Sequence, residues 1–481
     1  MNNFMQPVFC FCDIMHFRRK IFPEVFIMAQ KQLVYGVDDV PSPLILLLAG
    51  AQHVLTLFGA TTLVPLMIGP AMGMDQTQIA VFISCVYFAM GICTLIQTSP
   101  FGSGLPIVQG SSFSFIPPIM TIVGIYAAQG PGVIMQYVGG ALIAGGVCLL
   151  LLGQFGLIGK IRRFVGPVTV GTTIMAIGFS LADTAVTFNA AKYWPASLAV
   201  VALIFLYGLG MKQRYVNIFS VLLSVVVVWL GCYFLSRTGV FAEGHPAYIS
   251  LANVKSAKWF QFTGFAPWGM PKFSLVAFGA ILAGFFSVIL ESIGDYFNVC
   301  NAANLPDPTE KQINKGIRAE GLGCIFGGIT GAVACTSYTE NIGLIGLTGI
   351  ASRWVVRVGA ILLVCMSLIG KFGALIATLP SPIIGGCYIA LFGTIGALGI
   401  QSLTRADMQK QRNIMIVGFS FLMALGLPGW VTAQKDLFFS WGVPGQILWA
   451  IGKTSMAVAG ISACLLDNLI PGTREERGFK D

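Results

Sequence analysis

Runs of about 20 apolar residues recur along almost the whole chain, each long enough to cross a bilayer as a helix. Of 481 residues, 56% are hydrophobic and only 10% charged. Soluble domains carry about 25% charged residues, so a large soluble core does not explain the deficit. The 58 glycines suit close packing between membrane helices. The net charge of +9 resides in Lys and Arg of short loops between apolar runs, the pattern of cytoplasmic loops. The lipid bilayer is therefore an expected partner, and nucleic acid is not. The 12 cysteines are scattered, mostly within apolar runs. Cys10 and Cys12 form the only close pair and lack metal-site companions, so buried free thiols are expected, with no metal and no cofactor.

Fourteen spans are predicted, near 43–62, 78–97, 107–125, 134–155, 163–184, 195–211, 216–235, 274–295, 317–334, 340–351, 354–376, 381–401, 411–428 and 442–467. Two of them are poor helices. The third opens with Gln109, Gly110, Ser111 and Ser112 and then meets Pro117 and Pro118; the tenth is short and dense in glycine. Irregular backbone at membrane depth survives only where protein or a water-filled cavity satisfies it. The two broken segments are third in the first seven spans and third in the last seven. Interrupted segments at matching positions of two halves point to the binding site of an inverted-repeat transporter. The other reading makes one a re-entrant loop and the other a bent core helix.

Loop charge sets the orientation. Lys160, Arg162, Arg163, Lys212, Arg214, Lys311, Lys315, Arg318, Arg353, Arg357, Arg405, Lys410 and Arg412 fall in loops on one side. On the other side the cations concentrate in the long loop 236–273, and long loops count little. Both termini are therefore expected in the cytoplasm. Trp259 and Trp268 in that long loop are expected at the membrane interface. The first 27 residues hold His16, Arg18, Arg19 and Lys20, but their apolar run is broken by Pro23 and Glu24, unlike a signal peptide. They read as a cytoplasmic tail, or as a stretch upstream of a true start at Met28.

Charges inside spans are few and costly unless they face a cavity or a partner. Glu291 closes the run Leu275–Leu290, and Asp295 lies one turn further on the same helix face. Glu320 sits near the start of the ninth span, Glu340 begins the tenth, and His53 lies midway in the first. Each carboxylate is a functional candidate. The alternative for Glu320 and Asp295 is a structural pair, and for His53 a satisfied core histidine.

The stretch Glu340-Asn341-Ile342-Gly343-Leu344-Ile345-Gly346-Leu347-Thr348-Gly349 resembles the signature of the nucleobase–ascorbate transporter family. That signature is Gln, Glu or Pro, then Asn, any residue, Gly, any four, Thr, and Arg, Lys or Gly; every fixed position matches. Gln52-His53, Ser111-Ser112-Phe113-Ser114-Phe115 and Glu291-Ser292-Ile293-Gly294-Asp295 resemble its first-, third- and eighth-span motifs. The resemblance covers about residues 34–467. It implies an all-α polytopic membrane protein of 14 transmembrane segments in a 7+7 inverted repeat, with short strands in segments 3 and 10. Residues 34–155 and 274–376 would form a core domain and 156–240 and 377–467 a gate domain, with an extracytoplasmic loop at 241–273 and cytoplasmic tails at 1–33 and 468–481.

The same resemblance implies the site. Glu291 and Glu340 bind the N–H groups of a nucleobase from opposite sides. An ionised carboxylate only accepts hydrogen bonds, so it suits those donors. Backbone N–H groups near Phe113, Ser112 and Thr339 take the ring carbonyls, and the Phe113 ring lies against the base. Asn341 supports the site, His53 organises the core, and Glu320 supports transport. Some members carry a histidine four residues after the eighth-span glutamate; here it is Asp295. Two carboxylates one turn apart raise each other's proton affinity, so Glu291 and Asp295 could share a coupling proton. Glu340 argues against ascorbate and favours uracil, with xanthine, urate and other purines as alternatives.

The expected activity is proton-coupled symport of uracil or xanthine into the cell across the plasma membrane, a bacterial inner membrane. Na+ is the alternative coupling ion, and a homodimer through the gate domain is the family's arrangement. An anion transporter of the same fold is the nearest rival, and two glutamates where an anion would sit count against it. An enzyme would need a nucleophile with a base, or a metal cluster; with three separated histidines none is visible. No pore-lining ring repeats, which counts against a channel.

Overall fold

The apolar runs fold as helices that frequently outlast the runs themselves. The computed structural model describes residues 33–478 except 162, 163, 212, 214, 215 and 218. The stretch 1–32, with the Cys10–Cys12 pair, His16 and Met28, and the loop cations Arg162, Arg163, Lys212 and Arg214 lie outside the described residues, as do 479–481. The first half contributes α1 (Pro43–Ala71), α2 (Gln76–Gln97), β1 (Gln109–Ser111), α3 (Ile116–Tyr126), α4 (Pro131–Gln154), α5 (Pro167–Ser180), α6 (Trp194–Phe205) and α7 (Ser220–Arg237). The second contributes α8 (Leu275–Ala302), α9 (Glu310–Thr330), β2 (Cys335–Ser337), α10 (Thr339–Thr348), α11 (Arg353–Ser367), α12 (Ser381–Leu403), α13 (Gln411–Ala433), α14 (Gly442–Gly452) and α15 (Ser455–Leu469).

Among the described residues, 8 helices are long and apolar enough to cross a membrane, or 9 if a bent pair counts as one span. The chain is a multi-pass membrane protein. The remaining predicted spans differ for identifiable reasons, the sixth because its apolar helix Trp194–Gly210 is short. The ninth, α9, begins with Glu310, Lys311 and Lys315 and is too polar for the lipid face. The eleventh breaks after Ser367 and resumes as Gly370–Ile376. The run predicted at 442–467 bends by 93° between α14 and α15. The third and tenth are each a short strand followed by a helix.

β1 and β2 pair antiparallel, with Gln109 opposite Ser337, Gly110 opposite Thr336 and Ser111 opposite Cys335. Both strands are fully buried, so each supplies the backbone partners that the other lacks at this depth. α1 fixes the pair from the side. Pro65 has no N–H, which releases the carbonyl of Thr61 from the helix ladder. The Ser111 hydroxyl takes that carbonyl at 3.0 Å.

Glycine explains how a polar helix becomes a core helix. A Cβ on Gly146 of α4 would meet the Gly321 carbonyl of α9 at 2.6 Å, and one on Gly139 would meet the Gly328 carbonyl at 2.8 Å. Both contacts recur seven residues apart on both helices, which brings the two backbones together along their length. The loop 236–273 straps over one end of this bundle: Gln261 N–H donates to Leu368 O at 2.8 Å and Lys272 N–H to Gln136 O at 2.9 Å. Trp259 is exposed there, as an interfacial residue would be. Trp268 is not; its indole N–H donates to Gly331 O at 2.9 Å and its ring packs edge-on against Phe82.

Candidate substrate site

α8 divides its side chains between two layers. Glu291, Gly294, Asp295 and Asn298 follow one face and line a cavity of about 1530 Å³. Ser292 and Tyr296 follow the next face and point into the packed interior, both buried. The turn between β1 and α3 brings Ser112, Phe113 and Ser114 to the same cavity, and the turn between β2 and α10 brings Tyr338, Thr339 and Glu340. The three segments singled out in the sequence therefore meet around one space. Glu340 is exposed into it and Glu291 is half-buried. The cavity runs on past Asn301 and Asn304 to Arg405, at the face that carries many of the loop cations.

Asp295 is held by two hydroxyls. Ser337 donates to its Oδ2 at 2.8 Å and Thr339 to its Oδ1 at 2.8 Å. This carboxylate thus brackets α8 to the start of α10. The N-cap residue Tyr338 makes no side-chain cap, so it leaves the first-turn N–H groups of α10 for other partners. The third segment is arranged differently. Pro117 and Pro118 open α3 and supply no N–H, and the preceding turn Phe113–Phe115 is capped by Ser112, whose hydroxyl accepts from Ser114 N–H at 3.2 Å.

Glu320 lies behind this layer, not on the cavity. It is buried and accepts from Ser292 at 2.8 Å and from Tyr296 at 2.9 Å. Gln97 Nε2 in turn donates to the Tyr296 hydroxyl at 3.0 Å. Ser337 reaches the Ser292 hydroxyl at 3.2 Å, so hydroxyl groups link Glu320 to Asp295 continuously. His53 is also off the cavity and buried. Asn341 donates from Nδ2 to the His53 carbonyl at 2.9 Å, and the same nitrogen lies 3.1 Å from His53 Nδ1. His53 and Asn341 are one supporting pair that ties α1 to α10.

Tyr338 also lines the cavity, a residue with no mark in the sequence. Its hydroxyl donates to Ser111 O at 3.1 Å and its ring lies directly over Gly110, where any Cβ would collide. A charge such as that of nearby Glu340 stands out in an apolar run, and a tyrosine does not. Among the described residues no group of three His, Cys, Asp or Glu side chains could hold a metal ion.

Residues 44–432 match the family model Xan_ur_permease, described as a permease family. The chain is 32% identical over 498 residues to solute carrier family 23 member 2 of Rattus norvegicus, covering 94% of this chain and 76% of that protein. It is 31% identical to the uric acid permease PucK of Bacillus subtilis, covering 85% of this chain and 92% of that one. Nucleobase-ascorbate transporter 12 of Arabidopsis thaliana is 29% identical, over 92% of this chain and 71% of that protein. Among solved structures, the transmembrane domain of the cyanobacterial bicarbonate transporter BicA aligns with a TM-score of 0.57 at 14% identity, over 84% of this chain and 96% of that domain. At that identity the likeness concerns the fold alone.

Proposed function

This chain belongs to the nucleobase–ascorbate transporter family of permeases, and on that premise we propose that it carries a nucleobase, uracil or xanthine, into the cell together with a proton. The observation that carries the reading is that Glu291 and Glu340, from two different helices, open onto one cavity between two strand–helix breaks. A nucleobase edge alternates N–H donors with carbonyl acceptors. The carboxylates take the donors, the backbone N–H groups at the start of α10 take carbonyls, and Phe113 supplies a flat apolar face. Two carboxylates repel a small anion, which counts against an anion substrate.

The site calls for two bodies that move past each other. In this reading α1–α4 and α8–α11 form the core and α5–α7 with α12–α15 the gate, related as a 7+7 inverted repeat. The helix contacts support it. Exchanging each element with its counterpart seven spans away maps the α4–α9 contact onto α11–α2, the α6–α12 contact onto α13–α5, and β1–β2 onto itself. The cavity opens past Asn301 and Arg405, on the side that loop charge assigns to the cytoplasm, so this conformation faces inward.

Glu291 takes a proton from outside, the base binds, the core slides against the gate, and both leave to the cytosol. Coupling requires that the proton strengthen base binding and the base strengthen proton binding by the same factor. Uptake of labelled uracil and xanthine, with and without a proton uncoupler, tests the reading. Accumulation that the uncoupler abolishes is expected. Uptake that ignores the uncoupler but follows external Na+ would replace the proton with sodium. The likeness to PucK gives a urate or other purine cargo a specific footing, and competition by unlabelled urate against both labelled bases decides it.

A further inference from the structure

Phe113 does not stand alone against the cavity. Its ring meets Phe392 of α12 nearly at right angles, 88° between planes with 5.4 Å between centroids. Phe392 is itself stacked flat on Tyr388, one turn earlier on α12, at 5.0 Å and 6°. The Tyr388 hydroxyl donates to the Leu63 carbonyl of α1 at 2.7 Å. All three rings are buried, and Tyr388 is wholly so. α12 in turn lies hard against α5, where a Cβ on Gly178 would meet the Gly396 N–H at 2.6 Å. The platform on which a planar ligand would stack is thus fixed by a helix from the opposite body. Ile395 and Leu398 of that helix line the same cavity, so Phe392 stands directly behind the site wall.

We propose that Phe392, locked by Tyr388, is a positioning residue that sets the ring plane of Phe113 for a planar heteroaromatic base, and that this contact parts when the two bodies slide. The inference rests on the proposed core-and-gate reading. An edge-to-face aromatic pair fixes ring orientation as well as burying area. A stacking platform needs a defined plane, and Phe113 has one only while α12 abuts it. Base affinity would then depend on conformation through an aromatic contact, separately from the carboxylates.

The test uses the full-length protein in lipid nanodiscs, with binding of a labelled base and of its ring-saturated dihydro analogue. The base is uracil or xanthine, whichever the wild type binds. Phe392→Leu is expected to weaken the planar base by about three- to tenfold, from the strength of one aromatic pair, and to leave the puckered analogue unchanged. The loss should vanish in a Phe113→Leu background, because two residues acting through one contact are not additive. Phe392→Tyr should restore planar selectivity. Tyr388→Phe, which removes only the bond to Leu63, should shift selectivity the same way by a smaller factor, and it serves if Phe392→Leu does not fold. Equal weakening of both ligands, persistence of the effect without the Phe113 ring, or no effect at all overturns the proposal. Failure of the wild type to bind either base overturns the uracil-or-xanthine reading instead, which is a separate result.

Discussion

The Tyr296 hydroxyl donates to Glu320 at 2.9 Å, while Asp295, its neighbour on α8, turns the other way to the cavity. Two adjacent residues of one helix therefore serve two carboxylate layers. Tyr296→Phe removes a donor from buried Glu320 and an acceptor from Gln97. Leaving buried polar groups unpaired costs about 1–3 kcal/mol. A lower melting temperature is expected, with base affinity less affected than turnover. Thermal unfolding in detergent, followed by fluorescence, checks the first part. An unchanged melting curve would remove this network from the account of stability.

Asp295 offers a sharper separation. Its two oxygens accept from Ser337 and Thr339, so it positions the start of α10 as well as carrying charge. In Asp295→Asn one oxygen remains to accept, and the amide can donate to a rotated hydroxyl. That variant should bind base within a few-fold of wild type, and weaker proton-driven accumulation is expected because Asp295 one turn away raises the proton affinity of Glu291. Asp295→Ala should lose binding by about tenfold or more, since the bracket to α10 is gone, one charge-assisted hydrogen bond being worth about 1.5–3 kcal/mol. Equal binding by both variants would mean that the bracket does not position the site.

The carboxylates themselves divide by role. Glu291→Gln keeps shape and loses the titrating group, so exchange of labelled for unlabelled base should persist while accumulation against a gradient stops. Glu340→Ala, at the exposed carboxylate of α10, should abolish binding. Retained accumulation in Glu291→Gln would move the proton elsewhere, with Asp295 the nearest cavity carboxylate on the same helix.

Much of this site could be read in the sequence because charge in an apolar run is conspicuous. Glu291 and Asp295 share a face by spacing alone, and the proline and glycine breaks mark where helix cannot continue. What escaped was whatever depends on a partner element. Ser292, Tyr296 and Ser337 look like ordinary small or aromatic residues until α9 delivers Glu320 to them. The 93° bend falls at Gly452-Lys453-Thr454-Ser455, a polar interruption too short to divide the single span expected at 442–467. Trp268 carries the mark of an interfacial residue, and only the Gly331 carbonyl draws it inward.

The α4–α9 contact gives a prediction with its own control. Gly146→Leu forces a side chain against the Gly321 carbonyl, where even a Cβ would sit at 2.6 Å. Separating these helices exposes the polar start of α9 and displaces Glu320 from Ser292. Loss of folded protein is expected, seen as aggregation on size-exclusion chromatography. Gly418→Ala on α13, where an added Cβ meets nothing within 4 Å, should leave yield and transport unchanged. Similar behaviour of the two variants would mean that close backbone approach is not what holds α9 in place.

The far end of the chain tests burial against exposure for ion pairs. Asp467, wholly buried at the end of α15, accepts from Arg412 at 2.9 Å and from Arg477 at 3.1 Å. Lys410 and Glu476 pair close by at 3.1 Å, but in solvent. The Thr473 N–H and then Lys410 hold the Glu476 carboxyl below its ordinary range. Its folded pKa is depressed, so its small contribution is present above the ordinary glutamate range and fades as pH falls through the lowered value. Glu476→Gln should therefore change stability little, and salt should erase the difference. Asp467→Ala removes the shared partner of two arginines and should cost about 3 kcal/mol, with little salt dependence. Faster proteolysis of the segment after α15 in the Asp467 variant alone is the expected result. Equal cleavage of both variants would mean that the buried pair does not anchor that segment.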